Sequence, residues 1–86
     1  MDTITKEWMV RCNEYADKAE KDFSILNEMT DSELAYLVYW NWGYSGAGNV
    51  PVTNAAIKVL VARGTDYNAL GEQIEKYFEE NSYLLD

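Results

Sequence analysis

Apolar residues recur every three or four positions along the first third of the chain, which is the period of an amphipathic helix. Thr3 or Thr5 can cap the start of this helix. On the opposite face three acids each precede a base by four residues, a spacing that stabilises a helix by about 0.2–0.5 kcal/mol per pair. We therefore predict an outer helix whose apolar stripe comprises Ile4, Trp8, Cys12, Tyr15, Ala19, Phe23 and Leu26.

A second helix begins at the clearest local signal in the sequence. Residues 30–33 fit a capping box, in which the Thr30 side chain caps the helix and Glu33 bonds back to the cap. The helix should run to about Trp42, with Gly43 in place for a left-handed C-cap. The tyrosine, valine and tryptophan content also suits a strand. The capping signature and the lack of polar alternation favour the helix.

Two further helices are predicted in the second half of the chain. Pro51 can occupy the first turn of a third, mostly apolar helix that extends over 53–63 and ends at Gly64. Thr65 or Asp66 can cap a fourth helix. The apolar side of this fourth helix carries Tyr67, Leu70, Ile74, Tyr77 and Phe78.

These elements predict an all-α fold, a compact single domain of about four helices over residues 1–86. Helices one and four are amphipathic and therefore outer, whereas helices two and three are apolar nearly all round and therefore central. Gly71 inside helix four should cost about 1 kcal/mol relative to alanine. The tail at 83–85 is expected to fold back over the core.

Charge restricts the classes of partner. The net charge is −8, divided as −5 over residues 1–33, +1 over 34–71 and −4 over 72–86. Direct binding to nucleic acid or to an anionic membrane needs basic patches, so neither is expected. The single cysteine and the absence of a signal-peptide pattern indicate a soluble cytoplasmic protein.

The sequence offers little for catalysis or for cofactor and metal binding. It contains no histidine, so neither a histidine-based triad nor nitrogen ligands for zinc are available. Cys12 lies on the apolar stripe without a histidine or a second cysteine, which is typical of a buried, inert thiol. We expect no enzyme activity, no cofactor and no metal.

The aromatic residues cluster in the middle of the chain. Tyr36, Tyr39 and Trp40 project from one face of the second helix, and Trp42 and Tyr44 lead into the glycine-rich loop 43–52. One interpretation is that this face packs within the domain. The other is that it stays partly exposed and binds a partner, because tyrosine and tryptophan are enriched in binding hot spots. We include all five among the candidate binding residues: Tyr36, Tyr39, Trp40, Trp42 and Tyr44.

A group of acids near the C-terminus is the second candidate. Glu79 and Glu80 lie near the end of helix four, where the helix dipole disfavours negative charge. With Glu75 and Asp86 they form an acidic patch that helix stability does not explain. The patch can be an ordinary solubilising surface, or it can meet basic residues of a partner. Our candidates from it are Glu75, Glu79 and Glu80.

The leading hypothesis is a small acidic protein-binding module, a steric inhibitor or adaptor that occupies a basic surface of a partner protein. Small acidic proteins of phages and mobile elements that block host nucleases share this size and charge, an analogy that no motif supports. One alternative is a nucleic-acid mimic that blocks a DNA- or RNA-binding groove. Another is a structural protein that self-associates as a homodimer through its aromatic surface.

Overall fold

A computed structural model describes residues 4–41 and 50–85, except for the side chains of residues 40, 41, 50 and 85. Within these ranges every regular element is helical, which confirms the all-α prediction. The four α-helices are α1 (Lys6–Ala19), α2 (Asp31–Tyr36), α3 (Val50–Ala62) and α4 (Tyr67–Glu80). Shorter elements are two 3-10 helices, Phe23–Glu28 and Ser82–Leu85, and a π-helical segment, Leu37–Asn41, that continues α2.

Helix α1 begins as the sequence predicts and ends earlier. The Thr5 hydroxyl accepts a hydrogen bond from the Trp8 backbone N–H (3.1 Å), so Thr5 is the N-cap. The predicted stripe is confirmed as far as Ala19, where the helix ends. Its buried residues recur every three or four positions and comprise Trp8, Cys12, Ala16 and Ala19.

The expectation that Phe23 lies on the apolar stripe is wrong. Asp22 caps a separate 3-10 helix by accepting bonds from the Ser24 backbone N–H (3.1 Å) and the Ser24 hydroxyl (2.6 Å). This new start reorients the chain, so Phe23 is 48% exposed whereas Leu26 is buried. A short polar cap therefore overrides a hydrophobic repeat that continues across it.

Helix α2 is the central element, and its start confirms the predicted capping box. The Thr30 hydroxyl accepts from the Glu33 backbone N–H (3.2 Å), and Glu33 Oε1 accepts from the Thr30 backbone N–H (2.9 Å). The other Glu33 oxygen accepts from Arg11 Nε (3.3 Å), which ties α1 to α2. All residues from 32 to 37 are buried, and α2 packs against both α3 and α4.

The third helix begins earlier than predicted and ends where predicted. Pro51 lies in its first turn, where a missing N–H costs nothing. Gly64 has a φ of 72°, and the N–H of Thr65 donates to the Leu60 carbonyl (3.0 Å), the Schellman geometry of a helix end. The start at Val50 shortens the predicted loop 43–52, and the proposed C-cap Gly43 lies outside the described residues.

Arg63 joins the end of α3 to the start of α2. Its guanidinium donates to the carbonyls of Met29 (2.9 Å) and Asn27 (3.0 Å) and to Oδ1 of Asp31 (2.9 Å). The bond from Arg63 and a second from the Thr65 hydroxyl hold the pKa of Asp31 below its usual range. A depressed folded-state pKa stabilises the fold above the ordinary aspartate pKa, and this contribution is lost as the pH falls through the folded value.

Helices α3 and α4 complete the core, and the tail covers part of it. Helix α3 contributes Val52, Ala56 and Leu60 while keeping an exposed side, and α4 contributes Ile74 and Phe78. In the C-terminal 3-10 helix the expected folding back is confirmed for Leu84, which is buried, and is wrong for Tyr83, which is exposed. The Cα radius of gyration of 12.0 Å equals the value of about 12 Å expected for a compact chain of this length.

Candidate functional site

Tyr36 belongs to the core, which agrees with the interpretation that the aromatic face packs within the domain and contradicts its exposure as a binding residue. It is 6% exposed and packs edge-to-face against Trp8 at a centroid distance of 5.2 Å and against Phe78 at 6.3 Å. Burial raises the pKa of its hydroxyl, while a hydrogen bond with Asn13 acts in the opposite direction. These three rings join α1, α2 and α4, and their role is structural.

Tyr39 lies at the surface, as expected of a binding residue. It is 37% exposed, and its hydroxyl donates to Oδ1 of Asn68 on α4 (2.6 Å). Its partial burial, together with the negative charges of Glu72 and other nearby acids, raises the pKa of this hydroxyl. Tyr39 therefore remains a neutral hydrogen-bond donor at physiological pH, held against the first turns of α4.

The π-helical segment explains why Tyr36 and Tyr39 have different surroundings. An α-helix turns by about 100° per residue, which would place both tyrosines on related faces. A π-helix has hydrogen bonds between residues i and i+5 and a smaller rotation per residue than an α-helix. Side chains after Leu37 therefore point in other directions than an α-helix would give them. Such segments occur frequently at functional sites.

Three of the predicted aromatic residues cannot be placed at this site. Trp42 and Tyr44 lie outside the described residues. The backbone of Trp40 belongs to the π-helical segment, but its side chain is outside the described part of the chain. For these three residues the expected binding role stays a prediction.

An open groove lies beside Tyr39, between the π-helical segment, α3 and the start of α4. Its volume is about 370 Å³, near the lower end of the roughly 300–1,000 Å³ typical of ligand pockets. Apolar and aromatic side chains form most of its wall, and one threonine and two asparagines complete it. It is lined by Val38, Tyr39, Thr53, Asn54, Ile57, Tyr67 and Asn68.

Thr53 is a buried polar residue in the groove lining. The residue is only 3% exposed, and its hydroxyl has no hydrogen-bond partner in the structure as described. An unsatisfied buried hydroxyl costs about 1–3 kcal/mol, so groups of this kind are rare in native structures. The groove therefore has mostly apolar walls, and the unpaired hydroxyl of Thr53 is buried within its lining.

The exposed acids of α4 form a different group from the predicted acidic patch. With 3.6 residues per turn, Glu72, Glu75 and Glu79 fall within about 60° of one another around the helix, on the side of Asn68 and Tyr39. Glu80 points about 100° away from Glu79 and leaves this group. We call Glu72, Glu75 and Glu79 the acidic stripe. All three side chains are exposed, and none forms an ion pair or hydrogen bond with other described residues.

Sequence reasoning missed most of the groove, because its residues come from three separate segments. Glu72 belongs to the acidic stripe, and the sequence does indicate it, since it precedes Glu75 by three residues and Glu79 by seven on the helical pattern. Thr53, Asn54 and Ile57 carry no local signal that distinguishes them from other residues of an apolar helix. Only the packing of α3 against the π-helical segment brings them beside Tyr39.

No protein-family model, curated protein or solved structure matches this chain. Among the residues that the structure describes, no helix has the length and apolar character needed to cross a membrane. In the same part of the chain, no three His, Cys, Asp or Glu side chains are grouped so that they could hold a metal ion.

Gly71 should control the position of Tyr39. A Cβ atom on Gly71 would overlap the Tyr39 ring, so glycine is what allows this ring to lie against α4. Gly71→Ala should displace the ring and break its bond to Asn68. In a Tyr39→Ala background the same change meets no ring and should stabilise the helix by about 1 kcal/mol. Urea unfolding of the four proteins should show a coupling of about 1–2 kcal/mol, and effects that simply add would contradict this contact.

Proposed function

We propose that this chain is a small acidic protein-binding module that occupies a basic surface of a partner protein, as a steric inhibitor or an adaptor. The acidic stripe is the observation that carries the proposal. Its three carboxylates lie in a row beside the half-exposed Tyr39, and none of them forms an ion pair in the described part of the fold.

The stripe adds little to the stability of the isolated domain. Like charges three or four residues apart on a helix destabilise it by about 0.2–0.5 kcal/mol per pair, and Glu72 with Glu75 and Glu75 with Glu79 form two such pairs. Lys76 follows Glu72 by four residues and offsets part of this repulsion. The last turn of α4 also contains Glu79 and Glu80 without a base, against the helix dipole. A basic partner would relieve both costs and would be steered toward this face at an increased association rate.

Tyr39 supports a protein partner in particular. A half-exposed tyrosine held by a hydrogen bond and by packing loses little side-chain entropy when it is covered. Aromatic residues of this kind are enriched at the centres of protein interfaces, and polar or charged residues surround them at the rim. In the proposed interface Tyr39 is the central residue and the acidic stripe forms part of the rim.

Nucleic-acid mimicry is a second candidate, since the stripe aligns three negative charges. Glu72 and Glu79 are separated by about 10 Å along the helix axis. Duplex DNA carries about six charges over that length. The stripe therefore has about half the linear charge density that a mimic must reproduce, which favours the general binding module.

The test compares two charge-matched variants. Replacing Glu72, Glu75 and Glu79 by glutamine should abolish capture of basic proteins from lysate while leaving stability unchanged or raised by about 0.5 kcal/mol. The control replaces three exposed acids of α1, Glu14, Asp17 and Glu20, by their amides and should capture the same proteins as wild type. Quantitative mass spectrometry at low and moderate salt provides the readout.

Equal capture by both variants would contradict the proposed role of the stripe. Binding that disappears at moderate salt in the wild type would support mimicry over a mixed aromatic and acidic interface. Light scattering on the purified protein tests the hypothesis of a structural protein that forms a homodimer. A dimer that dissociates when Tyr39 is replaced would point to self-association through the aromatic surface.

A further inference from the structure

We infer that the groove beside Tyr39 binds one large apolar side chain of a partner peptide segment, and that Glu72 and Glu75 bind a lysine or arginine next to that side chain. The inference rests on the proposed function and specifies the segment that the module recognises. The apolar groove and the acidic stripe adjoin at Tyr39, which lines the groove, bonds Asn68 and lies against Gly71, the residue before Glu72.

The shape of the groove favours a side chain over a free small molecule. Pockets for small ligands enclose most of the ligand surface. This groove is open to solvent, so an occupant stays partly exposed. A side chain attached to a peptide satisfies that geometry, because its backbone can run along the open edge past Asn54 and Asn68.

The unused hydroxyl of Thr53 also indicates an occupant. The groove lining already contains the Tyr39 hydroxyl and the side-chain amide of Asn68, and these two bond each other. Thr53 is buried in the same lining with no partner among the described residues. A peptide N–H or carbonyl brought to the groove by the inserted side chain could pair with this hydroxyl after a small adjustment of α3.

Charge complementarity determines which residues of the peptide can lie next to the inserted apolar side chain. Asn68 lines the groove and accepts a hydrogen bond from Tyr39. Glu72 and Glu75 follow Asn68 by four and seven residues on α4, so they lie on the same face of the helix as this edge of the groove. A cationic residue near the inserted apolar one would meet them, whereas an acidic one would be repelled.

The experiment selects a phage-displayed library of random twelve-residue peptides against the whole domain. Enriched peptides should share a large aliphatic or aromatic residue with lysine or arginine within four positions. A synthetic peptide of the enriched sequence is then titrated against variants by fluorescence anisotropy. Asn54→Trp fills the groove from an exposed helical position, and its matched control is Val61→Trp, exposed on α3 outside the groove.

We expect the variants to differ in their affinity for the selected peptide. Asn54→Trp, and the pair Glu72→Gln with Glu75→Gln, should each weaken peptide binding by about tenfold or more. Thr53→Val keeps the side-chain shape and should weaken it by about two- to tenfold, the range for one lost hydrogen bond. Val61→Trp should stay within twofold of wild type.

The outcomes separate this inference from the proposed function. Enriched peptides that are basic without an apolar residue, with binding lost only in the glutamine variants, would overturn the groove and leave the acidic module standing. Apolar peptides without bases would overturn the inferred pairing with Glu72 and Glu75. If no peptide is enriched, or if all variants bind equally, the groove inference fails, and the lysate comparison alone then decides the proposed function.

Discussion

Replacing Trp8 by alanine is expected to remove about 3–5 kcal/mol of folding stability, the range for truncating a fully buried tryptophan. Trp8 is buried at the junction of α1, α2 and α4 and packs edge-to-face on Tyr36. A domain of this length has a total stability of roughly 4–13 kcal/mol. The variant should therefore be largely unfolded or strongly shifted in urea unfolding followed by circular dichroism.

Trp8→Phe is the control, because it keeps an aromatic ring in the core and removes the indole N–H. The indole N–H of Trp8 is buried without an acceptor in the described part of the structure. Phenylalanine removes this unsatisfied donor, which offsets part of the lost packing. We expect a loss of only about 0–1.5 kcal/mol for this variant. Equal losses for Phe and Ala would contradict the claim that ring packing in the core carries most of the contribution of Trp8.

Much of the fold follows from signals that a few residues carry locally. The capping box of Thr30 with Glu33, the end at Gly64 and the cap at Asp66 each satisfy backbone groups that lie nearby in the sequence. Local chemistry of this kind depends little on the rest of the fold. For that reason the starts of α2 and α4 and the end of α3 could be predicted from sequence.

The errors occur where two local rules compete or where packing decides. The apolar repeat of α1 continues through Phe23, but Asp22 starts a new helix and Phe23 becomes exposed. Tyr36 and Tyr39 have the same side-chain type three residues apart, yet one is buried between α1 and α4 and the other covers Gly71. The residues next to the two tyrosines in the sequence do not determine which of them is buried.

The candidate site shows the same division. Exposure of Glu75 and Glu79 follows from the helical period of α4, and so does the position of Glu72 beside them. The groove does not follow from any period, because Val38, Thr53 and Tyr67 meet only in the folded protein. Sequence thus identifies the charge of the site, whereas its shape depends on contacts between distant segments.

Glu33→Ala is expected to cost about 2–3 kcal/mol, the second largest effect among the proposed substitutions. Glu33 is buried and accepts one bond from the Thr30 N–H and one from Arg11. Bonds to a charged group contribute about 1.5–3 kcal/mol each when the group is well ordered. Arg11 is largely exposed, so its share should be the smaller one. Urea unfolding of the variant provides the measurement.

Three controls assign this loss to the capping box. Glu14→Ala removes an exposed acid from α1 and should change stability by less than about 0.5 kcal/mol. Arg11→Met keeps the aliphatic stem and should cost less than about 1 kcal/mol. Thr30→Ala removes the reciprocal bond, so its effect combined with Glu33→Ala should be smaller than the sum of the two. If Arg11→Met instead equalled Glu33→Ala, the ion pair between α1 and α2 would be the stabilising contact, and the box would contribute little.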